Sequence, residues 1–257
     1  MKFFRWMAVS FSIYSRIPMP RFEWTEEDYG HSLVFFPMIG AVIGIISVAA
    51  YAGFVRIGLP DIAVCTVLTL PPVLVTGGFH LDGYMDTMDA RSSYRDREEK
   101  LRILSDPHIG SFAVISVIAA LLAYIGAAGV IVHQRDMRAV ISLGLMYVSA
   151  RSVSGLLAML LPGAKDKGML RAETAGNRRG ILISQWIWLI ASLAGIACTG
   201  YMYAVGVAAA LILFALYYRH MVISQFGGVT GDTAGYLLTM SEVTGCIAIA
   251  AVSLIVS

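Results

Sequence analysis

Charge is what this sequence has least of. Asp, Glu, Lys and Arg make up 14% of its 257 residues and hydrophobic residues 58%, with mean hydropathy +0.73. A soluble domain carries roughly 25% charged residues, so an ordinary soluble domain is excluded. Net charge is only +2, and no run of Lys and Arg is interleaved with aromatics, which excludes a nucleic-acid groove. The cysteines, Cys65, Cys198 and Cys246, stand singly in apolar segments. Without a CxxC pair there is neither a zinc site nor a disulfide framework, and lone thiols read as small buried hydrophobes. No internal repeat, linker or low-complexity tract is present, which counts against a transporter built from inverted halves. After a short apolar run from Trp6 to Tyr14 come Arg16, Pro18 and Pro20 rather than a small-residue cleavage site. That start reads as an amphipathic surface segment and not as a signal peptide.

What is there in quantity is apolar runs near the ~20 residues that cross a bilayer as helix. Leu33–Val55, Ser111–Val132, Ala139–Leu161, Ile181–Thr199 and Met202–Tyr218 qualify. Asp61–Val75 is shorter and expected to break at Pro71-Pro72, and Val243–Val256 is short. This gives an all-α, polytopic membrane bundle of about seven spans, in one domain over residues 1–257. Lys and Arg number four before the first span, then one, five, two, five, zero and one in successive connections. Lys165, Lys167, Arg171, Arg178 and Arg179 form the second group of five. The alternation places the N-terminus inside under the positive-inside rule. Segments 76–110, 163–180 and 219–242 then share the cytoplasmic face.

Into the first of these falls Thr76-Gly77-Gly78-Phe79-His80-Leu81-Asp82-Gly83-Tyr84-Met85-Asp86-Thr87-Met88-Asp89. On a helix of ~3.6 residues per turn, steps of four and three put Asp82, Asp86 and Asp89 within a ~60° arc. Carboxylates so close repel, and a hard cation such as Mg2+ relieves them while gripping phosphates. The bland alternative is a solvated loop whose acids pair with Arg91, Arg95 and Arg97. Asp96 joins the acidic face if the helix continues.

Four further features bear on the same face. Asp106, before Pro107, is either the cap of the next helix or a phosphate or metal contact. Arg151 lies inside a span, paired with an acid or with substrate phosphate. Gly227, Gly228 and Asp232 make a Gly-rich turn, either a phosphate cradle or a close-packed connection. It lacks the Lys of a Walker A loop. Arg171 and its neighbouring cations suit a pyrophosphate, or equally anionic lipid. Together these residues suggest phosphoryl or nucleotidyl transfer, which asks chiefly for positioning and charge neutralisation.

The run Gly77-Gly78-Phe79-His80-Leu81-Asp82-Gly83 with Asp86-Thr87 and Asp89 resembles the signature of the cobalamin synthase (adenosylcobinamide-GDP ribazoletransferase) family. The likeness extends through Arg95-Asp96-Arg97-Glu98, Asp106-Pro107-His108-Ile109-Gly110, Ser15-Arg16-Ile17-Pro18, Arg151 and Gly227-Gly228-Val229-Thr230-Gly231-Asp232-Thr233 with Glu242. Two departures stand out: Ala90-Arg91-Ser92-Ser93 replaces a glycine-rich turn, and Leu81 stands where some members have Glu. The resemblance implies an enzyme of a prokaryotic cytoplasmic membrane, with its site facing the cytoplasm. It would join adenosylcobinamide-GDP to α-ribazole or its 5′-phosphate and release GMP. Implied roles are Asp82, Asp86 and Asp89 on Mg2+, His80, Asp82 and Asp86 in catalysis, and Arg151, Arg171, Gly227, Gly228, Asp232 and Asp106 on substrate. Membrane lipid is the surrounding partner, and a homo-oligomer is left open.

Two other classes compete. A CDP-alcohol-phosphotransferase-like enzyme would also use an acidic helix, but its Asp-Gly…Ala-Arg…Gly spacing is not followed here. A non-catalytic transporter or vitamin binder calls for mid-membrane charges in several spans, and only Arg151 is seen.

Overall fold

The computed structural model describes residues 2–165 and 168–256, so Lys167 lies outside the described residues. Twelve α-helices follow one another among these residues: α1 (Lys2–Tyr14), α2 (Glu26–Tyr29), α3 (Phe36–Arg56), α4 (Asp61–Thr76), α5 (Phe79–Ser92), α6 (Arg97–Ile103), α7 (Ser111–Gln134), α8 (Met137–Leu160), α9 (Met169–Thr174), α10 (Arg178–Thr199), α11 (Tyr201–Phe226) and α12 (Gly231–Val256). A 3-10 turn, Ser32–Phe35, leads into α3. No strand occurs among the described residues; a lone bridge joins Gly163 to Val229.

Six helical segments are long and apolar enough to cross a membrane, and the count rises to seven when the bent pair α4–α5 is taken as one span. The protein is an integral membrane helical bundle. α8 is its axis: 78% of its most apolar window is buried, against 22% for α11 on the periphery. α3 reaches α8 closely because Gly40 and Gly44 lie on the backbone of Tyr147 and Gly144, where a β-carbon would collide. Small residues at such crossings let backbones approach, which drives packing where lipid is as apolar as Leu. Elsewhere hydroxyls tie the helices, as in Ser149 to Ser192 at 2.8 Å and Ser142 to Thr199 at 2.7 Å.

Three expectations need correcting. The chain does not break at Pro71-Pro72, which both lie inside α4. It breaks after them, at Gly77 and Gly78, whose φ angles of +65° and +82° are left-handed conformations that only glycine adopts cheaply. There the axis turns by 93°. The last span is not short, since α12 begins at Gly231 and runs 26 residues. Most of segment 219–242 is therefore helix, with only residues 227–230 connecting α11 to α12. Finally, α5 ends at Ser92, and Asp96 instead caps α6, accepting the Glu99 N–H at 2.9 Å.

After its bend, α5 does not traverse the bundle. It crosses the first turns of two spans, with Tyr84 donating to the Ser116 carbonyl of α7 at 3.1 Å and Gly83 lying against Asp232 of α12. α1, α6 and α9 gather at this same end, as the contacts of α6 with α5 and α11, and of α9 with α8, show. The opposite end is closed by Arg135 on Asp61 at 2.7 Å and by Tyr203 on Asp136 at 3.0 Å.

Candidate functional site

The site is built where α5 lies over α12. Gly83 lets the two backbones meet, since a β-carbon there would stand 2.9 Å from the Asp232 Cα. Asp82 is exposed and Asp86 half-buried on this face. Burial, then the charges of Asp82, Asp232 and Asp89, pushes the Asp86 carboxyl up to about 6. Four acids therefore share one electrostatic field, and among the described residues no salt bridge neutralises Asp82, Asp86, Asp89 or Asp232.

Asp89 has a further partner. Its carboxylate accepts the N–H groups of Gly110 at 2.6 Å and Ala113 at 2.8 Å, capping α7. Asp106, one expected cap of that helix, is turned elsewhere: it accepts the His108 N–H at 3.0 Å and meets the His108 ring at 2.6 Å, exposed to solvent.

A metal fits this donor set by its chemistry, as hard oxygen ligands that repel one another until a cation joins them. Among the described residues no three His, Cys, Asp or Glu side chains yet close on a common point. Of these four acids, Asp82, Asp86 and Asp232 are turned neither to a cap nor to an arginine among the described residues.

Beside the acids opens a cleft of about 380 Å³, lined by Lys165, Arg171, Arg178, Thr230 and Asp232 among others. Gly227 and Gly228 do not line it. Gly227 carries the Arg97 guanidinium on its Cα, and Gly228 lies against the 162–164 backbone, where Val229 N–H donates to Pro162 O at 2.8 Å. The glycines pair two loops, and that pairing presents Thr230, Gly231 and Asp232 to the cleft.

Arg151 is not in the cleft. It is buried among the spans and pairs with Glu242 at 2.8 Å. Sequence reading placed Glu242 in a loop because it began α12 twelve residues late. A second mid-membrane charge therefore exists, and it is spent on the first. A cavity beneath α5 is lined by both, with His80, Tyr124 and Thr239. Among the described residues neither His80 ring nitrogen has a hydrogen-bond partner, and the ring stacks 5.8 Å from Tyr14.

Sequence reasoning also missed Glu173 of α9, which is 1% exposed and lines a chamber with Tyr14, His80 and Gly231. Its signal was faint: one Glu within a basic loop. Arg91, expected near the acids, instead donates to the Tyr236 and Tyr217 hydroxyls at 2.8 and 2.6 Å.

An acidic helix laid across a helical membrane bundle, next to a cleft of cations, defines a membrane-embedded transferase of phosphorylated substrates. The comparisons make this specific. Residues 6–250 match the family described as cobalamin-5-phosphate synthase (CobS), and the chain belongs to that family. It is 36% identical over 251 residues to an adenosylcobinamide-GDP ribazoletransferase of Lachnoclostridium phytofermentans, covering 97% of this chain and 94% of the relative. It is 31% identical over 247 residues to one from Clostridium perfringens strain SM101 (95% and 96%). With one from Pseudomonas fluorescens strain Pf0-1 it shares 30% over 256 residues (95% and 98%). No solved structure matches.

Proposed function

We propose that this protein transfers the adenosylcobinamide-phosphate moiety of adenosylcobinamide-GDP to α-ribazole or its 5′-phosphate and releases GMP. The observation that carries the reading is Asp232, which lines the cleft of Lys165, Arg171 and Arg178 and shares the electrostatic field of Asp82 and Asp86. A pyrophosphate-bearing donor needs both: cations for its anionic oxygens and carboxylates that would hold a charge-neutralising metal. Asp82, Asp86 and Asp232 would hold Mg2+, which when bound offsets charge developing on the leaving phosphate. Lys165, Arg171 and Arg178 bind the GDP-side phosphates and orient the donor for attack by an acceptor hydroxyl. Arg151 acts at a distance, holding α8 to α12 beneath the site. The site faces the cytoplasm of a prokaryotic cell, where nucleotide donors are made.

Proteoliposomes given adenosylcobinamide-GDP and α-ribazole 5′-phosphate test this, with and without Mg2+. GMP release matched by cobamide formation, both lost on chelation, is the expected result. GMP release without cobamide would mean that the acceptor is wrong. Unchanged turnover after chelation would remove the metal.

A further inference from the structure

Glu173 is the buried acid the proposed transfer does not use, and its surroundings are unlike those of the other buried acids. Asp28 pairs with Arg5 at 2.6 Å and Glu242 with Arg151 at 2.8 Å. Among the described residues Glu173 has no paired cation, and its Oε1 has no hydrogen-bond partner although the residue is 1% exposed. A lone buried carboxyl left half-satisfied is costly, so it persists where something else uses it.

The carboxyl faces a small chamber between α1, α3, α5, α8, α9 and α12, to which α3 contributes Phe36 and no charge. Tyr14 comes from α1, His80 from α5, Ser154 from α8 and Gly231 from α12. Ala158, Leu170 and Gly231 line both this chamber and the cationic cleft, so the two adjoin. The chamber measures about 40 Å³. A single water needs about 10–15 Å³ on such a measure, so the space takes a hydroxyl or hydroxymethyl group and excludes a fused bicyclic base. The groups facing Glu173 are Tyr14, whose hydroxyl lies against it, and His80 across the chamber. On its own helix Arg171 is exposed toward the cleft, and on α2 Asp28 is held by Arg5. α8 contributes Ser154 but no charge.

We propose that Glu173 is the general base of the transfer, taking the proton of the acceptor hydroxyl held in this chamber. The inference rests on the proposed ribazole-transfer reading. In the step, the O–H bond breaks toward the Glu173 carboxylate and the freed oxygen forms the new bond to the cobinamide-side phosphorus. The P–O bond to the guanylyl phosphate breaks, and GMP leaves with its electron pair. A base buried without a cation is poised near neutrality: burial, opposed by the Tyr14 hydrogen bond, puts this carboxyl at about 7. The aspartates of α5 and α12 are then left to the metal and phosphates.

The test measures kcat and KM against pH in proteoliposomes for wild type, Glu173→Gln and Glu173→Asp, with donor binding by equilibrium dialysis. Gln keeps the size and hydrogen bonds of a protonated Glu, so a structural role survives it. The expected result is a kcat loss of about 100-fold or more in Glu173→Gln, with donor binding and donor KM retained. The acidic limb near pH 7 disappears, and Glu173→Asp recovers part of the rate. Turnover within about threefold of wild type, or a slow Glu173→Gln that keeps the limb, overturns the assignment. Wild-type protein that neither binds donor nor releases GMP would instead sink the transfer reading, and this role with it.

Discussion

The Asp89 carboxylate sits 2.6 Å from the Gly110 backbone nitrogen, at the first turn of α7. α5 and α7 are thereby fastened together at the end of the bundle where the acids lie, and Asp89 fixes the direction in which Asp82 and Asp86 face. Removing a capping side chain costs about 0.5–2 kcal/mol. Asp89→Ala should therefore lower the melting temperature in detergent and reduce turnover as a consequence. Asp82→Ala, at an exposed position, should abolish turnover with melting close to wild type. Equal melting of the two variants would refute this division of labour.

Much of this arrangement was legible in the sequence. The acid spacing and the apolar runs are local patterns, and local patterns survive folding, whereas the break at Gly77-Gly78 was expected at Pro71-Pro72. Capping was not legible, because Asp89 and Gly110 are 21 positions apart and either Asp89 or Asp106 satisfies the propensity rules. Glu242 was misplaced because a charged residue ends a hydropathy window, although here it is neutralised by Arg151 from another helix. Gly227 and Gly228 drew attention as a ligand cradle, whereas the same freedom serves loop pairing. Glu173 carried no motif at all; only its enclosure by six helices marks it.

The Arg151–Glu242 pair predicts a double-mutant pattern. Removing one partner of a buried pair costs about 3–5 kcal/mol, because the other is left charged and alone. Arg151→Met and Glu242→Gln should each destabilise strongly. The double variant should recover most of the loss, since an uncharged pair of similar volume carries no such penalty. Additive losses in thermal unfolding would mean that the two residues act independently, and would return Arg151 to the list of substrate contacts.

Gly83 sets the distance between α5 and α12. An alanine there would place Cβ 2.9 Å from both the Cα and the carbonyl oxygen of Asp232, and backbone cannot yield as a side-chain tip can. Gly83→Ala should cost about 1–3 kcal/mol and lower turnover further than stability, because Asp232 moves away from Asp82 and Asp86. Gly53→Ala is the control, with nothing within 4 Å of its new methyl. A Gly83→Ala enzyme with wild-type Mg2+ dependence and rate would show that Asp232 is not part of the acid cluster.

Glu173 also predicts a pH dependence of stability that is independent of catalysis. Its carboxyl is raised from 4.5 to about 7 in the folded chain, so the native state binds the proton more tightly than the unfolded state. Stability then falls as pH rises from about 4.5 to 7, by an amount on the order of 3 kcal/mol for a shift of that size. Above that window the full cost of a buried carboxylate remains. Glu173→Gln has no proton to lose. Its melting temperature should match wild type near pH 5 and exceed it near pH 8. Melting curves for the two proteins that run parallel across this range would mean that the Glu173 carboxyl is not held in its neutral form by burial, and the poised base would lose its physical footing.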